Sequence, residues 1–245
     1  MKKHLSVLML MARSTIYKIL ALLVLMAAGE SALYCFTMSD LAGRGEDGGF
    51  SLELVLGQSR IAWVFGACFL LLTALLVMTG CEGKSKCGYT LRRLSVSERW
   101  VFLWQSVYNI LCYLLLWAVQ ILTAVALCRL YEAKAAPQFV SGQTVFLAFY
   151  RSNFLHSLLP LEDVRVWMCN GLLAAGLGIC AARYPMAQRR GGRFTELFLL
   201  ACAAVILFSR GIGAEGSSLA LALLAASCTG VALAFALRKE GEYED

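Results

Sequence analysis

The sequence predicts an all-α membrane protein, a polytopic bundle of about six transmembrane helices with an N-terminal interfacial helix and both termini cytoplasmic. Three observations predict it. Of the 245 residues 60% are hydrophobic, the mean hydropathy is +0.70, and only 16% are charged, whereas a soluble domain carries about a quarter. The apolar residues gather into runs long enough to cross a bilayer. Most of the 22 basic residues crowd the ends of those runs on one side. An apolar excess of this size cannot be hidden in one core, so lipid must solvate most of the surface.

The first run covers residues 19–38. Lys2, Lys3 and the apolar stretch from Ile19 to Ala28 resemble the charged and apolar parts of a signal peptide. Glu30, however, interrupts the place where a cleavage site would begin, and Tyr34 before Cys35 is too bulky for lipoprotein processing. An uncleaved first span is expected. Ahead of it, residues 3–16 mix Leu5, Leu8, Met9 and Ala12 with Lys3, Arg13 and Ser14, which reads as an interfacial helix. The second span is expected over 61–80. The third, 100–128, is longer than a bilayer requires and should tilt or project. The fourth covers 166–182, the fifth 194–209 and the sixth 218–237; the whole chain is one transmembrane domain. Such spans must be helical, because lipid offers backbone groups no hydrogen-bond partner. The fifth is short and joins the sixth through residues 210–217, which suggests a tight helical hairpin.

Charge sets the orientation. Residues 1–18 hold Lys2, Lys3, Arg13 and Lys18 and no acid; residues 82–99 hold Lys84, Lys86, Arg92, Arg93 and Arg99. Residues 183–193 hold Arg183, Arg189, Arg190 and Arg193, again without an acid, and Arg238 and Lys239 follow the last span. The first loop of the opposite side carries Asp40, Glu46, Asp47 and Glu53 against Arg44 and Arg60. The positive-inside rule therefore places the termini and the loops after spans two and four in the cytoplasm of a multi-pass cell-membrane protein. The net charge of +6 forms no patch among aromatics, so nucleic acid is not an expected partner. On the outer side, residues 143–159 place Val145, Phe146, Phe149, Phe154 and Leu158 among Arg151, Asn153 and His156. They suit either a second interfacial helix or lid, or an ordered loop packed on the span ends.

Catalytic and cofactor motifs are missing from the sequence, and no enzymatic activity or cofactor is expected. Gly83-Lys84-Ser85 imitates the end of a phosphate-binding loop, but Met78 stands where the required glycine belongs, and no strand precedes it. The 10 cysteines form no Cys-x-x-Cys pair and the 2 histidines are His4 and His156, so no local zinc site can be assembled. Most cysteines read as small packing residues within spans; a disulfide among Cys35, Cys128 and Cys169 is the weaker alternative.

Polar side chains within spans are costly and are candidates for function. Glu30 lies in span one, Gln105, Asn109 and Gln120 along span three, and Asn170 early in span four. Gln105 and Asn109 are four apart and share a helix face. Either Glu30, Gln105, Asn109 and Gln120 line a translocation path, or they hydrogen-bond between helices and fix packing. Glu30 alone is thin support for an ion-coupled carrier. In span six Ser218, Ala222, Ala226, Gly230 and Ala234 recur every four residues, a small-residue face suited to helix association within the chain or between protomers.

The loop after span two carries the most information. In Gly88-Tyr89-Thr90-Leu91-Arg92-Arg93-Leu94-Ser95-Val96-Ser97-Glu98, Leu91 and Leu94 give a short helix an apolar edge beside two arginines. Ser95 or Ser97 suits the cap of the next helix, with Glu98 in its first turn. This stretch resembles the segment between the second and third spans of type 2 ATP-binding-cassette exporter permeases, where a Gly-Thr-Leu-x-x-Leu run leads into a Pro-Val-Ser turn. Here Tyr89 stands between Gly88 and Thr90, Ser95 where proline is common and Cys87 where an acid is common. The resemblance covers about eleven residues as motif and, as six-span layout, most of the chain. It implies an ATP-driven exporter subunit that works as a homo- or heterodimer with a separate ATPase and moves an amphipathic substrate (lipid, peptide or drug). It also implies that Thr90, Leu91, Arg92, Arg93, Leu94, Val96, Ser97 and Glu98 dock into the ATPase. The other expectation left open is a non-transporting membrane scaffold or accessory subunit.

Overall fold

The computed structural model describes residues 2–43, 52–80, 98–135, 140–160, 163–189, 196–210 and 215–237. Among these the chain is all-α, without strands. In order they form α1 (Lys2–Gly43), α2 (Leu52–Gln58), α3 (Ile61–Gly80), α4 (Glu98–Lys134), α5 (Thr144–Arg151), α6 (Asn153–Leu158), α7 (Val164–Arg189), α8 (Glu196–Arg210) and α9 (Glu215–Leu237).

Among the described residues four helices are long and apolar enough to cross a membrane, over Leu8–Gly43, Ile61–Thr79, Arg99–Lys134 and Val164–Gln188. These four helices contain the first four apolar runs read from the sequence. Their outward faces are bare hydrocarbon: Val24 is 68% exposed, Leu122 68% and Met168 71%. Water would not tolerate such a surface on so many helices, and lipid is the solvent that accounts for it.

Helix α8 departs from that pattern. At 15 residues, α8 is about 22 Å long, against a hydrocarbon core of about 30 Å. Helix α9, at 23 residues, is about 34 Å long. The two helices pack on each other, as the expected hairpin requires.

The N-terminus differs from expectation. Residues 3–16 do not form a separate surface helix: they are the first turns of α1, a continuous helix of 42 residues. The physical reason lies in composition, because neither proline nor glycine occurs between Lys2 and Ala28 to end it. Met11 is buried with Leu10, Val101, Trp104 and Tyr108 around it, and Thr15 hydrogen-bonds to the Tyr108 hydroxyl. This stretch therefore packs along the start of α4. Similarly, α2 occupies part of the loop between the first two spans, where no helix was anticipated. It turns into α3 through Arg60, whose φ of 53° is left-handed.

Helix α4 is the hub. It packs on α1 along one side and on α7 along another, while α7 packs on α9 and α3 bridges α1, α7 and α8. The core runs through these seams, with Met26, Leu72, Leu116, Leu177 and Ala225 fully or almost fully buried. Outside it, α5 and α6 cap the ends of the long helices. Phe149, Leu155 and Leu158 point inward, Phe154 meets Phe65 edge-on at 6.0 Å, and Trp117 Nε1 donates to the Leu158 carbonyl at 2.9 Å. Segment 143–159 is thus helical and also packed on the span ends, combining the two alternatives read from its sequence. Cys35, Cys128 and Cys169 are not joined by disulfides, so the disulfide alternative among them does not hold.

Candidate functional site

Two small residues set how close the helices come. A Cβ added at Gly178 would stand 2.9 Å from the Ile110 backbone nitrogen, so α7 can approach α4 here only as glycine. On the other side of α7, a Cβ at Gly176 would stand 3.2 Å from Thr229 Cγ2 and 3.4 Å from the Ala225 carbonyl of α9. Close backbone contact of this kind is how helices gain packing energy where lipid removes the hydrophobic driving force.

Polar side chains then tie the seams. Gln120 Nε2 of α4 donates to Glu30 Oε2 of α1 at 3.0 Å, and both residues have no exposed surface. One face of α4 away, Asn109 Nδ2 donates to the Gly178 carbonyl of α7 at 3.2 Å. Gln105, one turn before Asn109, is buried on the same face. Glu30, Gln105, Asn109 and Gln120 are therefore all buried in the bundle, three of them in bonds between helices, and two of them pair with each other.

Three further buried polar groups belong to the bundle, and of these the sequence pointed only to Asn170. Tyr113 of α4 donates its hydroxyl to Thr73 Oγ1 of α3 at 2.9 Å. Asn170 Nδ2 of α7 donates to the Ser157 carbonyl of α6 at 3.0 Å. Tyr34 is fully buried and its hydroxyl has no hydrogen-bond partner. A tyrosine or asparagine in a span announces that it needs a partner; its position in the chain does not say which.

The small-residue face of α9 is placed outward. Ala226, Gly230 and Ala234 are exposed and Ala222 is half-buried, whereas Leu221, Ala225, Cys228, Thr229 and Ala232 form the buried side of α9. A Cβ added at Gly230 would meet nothing within 4 Å. Among the described residues, no other helix covers this face at Ala226, Gly230 and Ala234.

The expected ATPase-docking residues Thr90, Leu91, Arg92, Arg93, Leu94, Val96 and Ser97 lie outside the described residues, and Glu98 is the first residue of α4. Among the described residues no group of three or more histidine, cysteine or acidic side chains could hold a metal ion. No protein-family model matches the chain, and neither a curated protein nor a solved structure matches it.

Proposed function

We propose that this chain is the membrane-spanning permease subunit of an ATP-driven exporter, coupling a separate ATPase to movement of an amphipathic substrate. The observation that carries the reading is the segment Gly88–Glu98. Its Thr-Leu-Arg-Arg-Leu order joins two long membrane helices on the side where lysine and arginine accumulate. A motor in the cytoplasm needs a handle of this kind. Leu91 and Leu94 would fill its groove, while Arg92 and Arg93 would face its acidic groups, and movement of the handle would pass into α3 and α4, between which it lies in sequence. Because α4 packs on both α1 and α7, tilting it displaces most of the bundle. A second protomer on the outward small-residue face of α9 would complete the path.

The test is co-purification of the detergent-extracted protein with an ATPase from its native membrane. A bound ATPase is expected, and charge reversal at Arg92 and Arg93 (R92E with R93E) should release it. An ATPase still bound after reversal counts against the reading.

A second reading, a non-transporting scaffold or accessory subunit, is favoured by one feature. Glu30, Asn109 and Gln120 bond helix to helix, leaving these polar groups in use for packing. It expects assemblies that depend on Ala226 and Gly230 and contain no ATPase.

A further inference from the structure

The Glu30–Gln120 contact has an unequal hydrogen-bond inventory. The amide donates to Glu30 Oε2 at 3.0 Å, while Glu30 Oε1 and Gln120 Oε1 are both buried without a partner. Both oxygens only accept, and neither receives a hydrogen bond. An ionised carboxylate cannot correct this, because it brings acceptors alone; a neutral carboxylic acid brings one O–H. An acid and a primary amide each have a donor and an acceptor, so one proton supplies what the pair lacks.

Position points the same way. Glu30 lies only about 7 Å from the middle of the span Leu8–Gly43, and Gln120 about 5 Å from the middle of Arg99–Lys134, at 1.5 Å per residue. The groups turned toward Glu30 are Cys68 of α3 and Gln120 of α4. Tyr34 follows one turn along α1, itself facing Cys35 and, from α4, Cys128 and Tyr131. On α2 the titratable group is Glu53, which is paired with Arg151. Among the described residues none of the groups facing Glu30 is a cation, and a buried carboxylate without one is poorly tolerated in hydrocarbon.

We propose that Glu30 is a proton-binding site inside the membrane, its carboxyl held as the neutral acid against the Gln120 amide so that the pair clamps α1 to α4. The inference does not rest on the exporter reading and would hold equally for a scaffold.

Infrared spectroscopy of the full chain in lipid nanodiscs at pH 7 tests it. The carbonyl stretch of a protonated carboxylic acid is expected in the wild type and absent from Glu30→Gln, and it should reappear in the exchanged pair Glu30→Gln with Gln120→Glu. Labelling glutamate carboxyl carbons with the heavy isotope should shift the wild-type band without any substitution, which covers the case of a variant that does not fold. Coincident wild-type and Glu30→Gln spectra in the acid region, with a difference only in the carboxylate region, would overturn the proposal. So would a wild-type acid band that the isotope leaves in place.

Discussion

The Asn109 side chain donates to the carbonyl of Gly178 across 3.2 Å, at a point where α4 and α7 leave no room for a side chain on that glycine. The bond and the close approach depend on each other. A longer residue at 178 would push the helices apart, and a wider gap would leave the buried amide of Asn109 without its acceptor.

Gly178→Ala is therefore expected to destabilise the folded protein by roughly 1–3 kcal/mol, because the obstacle is the Ile110 backbone and cannot rotate aside. Gly171→Ala is the control: it lies on the same helix, and its added methyl meets nothing within 4 Å. Unfolding by denaturing detergent or heat in mild detergent measures both. Equal stability of the two variants would contradict the close-packed seam.

Removing the bond without widening the gap should cost less. Asn109→Ala is expected to lose about 1 kcal/mol, the usual scale of a side-chain hydrogen bond between membrane helices. Combined with Gly178→Ala, its effect should be smaller than the sum, since the first change already weakens the contact the second removes.

The two buried tyrosines should respond differently to the same substitution. Tyr113→Phe removes a donor from Thr73 and should cost about 0.5–1.5 kcal/mol. Tyr34→Phe deletes a buried hydroxyl that has no partner, so stability should be unchanged or raised. Thermal unfolding of the two variants side by side separates them.

On α9 the two sides of one helix should give different phenotypes. Gly230→Leu, on the outward face, is expected to abolish crosslinking between protomers while leaving the monomer folded. Ala225→Leu, fully buried and close to Gly176, should instead reduce folded yield. A Gly230→Leu protein that crosslinks as well as wild type would remove α9 as the protomer interface.

The long helices were legible because lipid imposes a length, and runs such as 61–80 or 100–128 meet it with few interruptions. The basic residues at their ends predict a sidedness by the same logic. Partners were not legible. Glu30 and Gln120 are 90 residues apart, and sequence shows only that each is expensive alone. The acceptor for Asn109 is a backbone carbonyl, which no side-chain pattern advertises. Helix α2 escaped notice because its apolar spacing, Leu52, Val55 and Leu56, lasts for only seven residues, too few for a helical period to stand out. The surface-helix reading of residues 3–16 failed for a related reason: Lys3, Arg13 and Ser14 interrupt the apolar run, but nothing there interrupts the backbone.

Sidedness of the segment between α3 and α4 is what the coupling account depends on most. Cys87 lies within that segment and can serve as the reporter, in a variant where the other cysteines are replaced. A membrane-impermeant maleimide should modify it in inside-out vesicles and leave it untouched in intact cells. Modification in intact cells would put the segment outside, beyond the reach of any cytoplasmic ATPase, and would contradict the account.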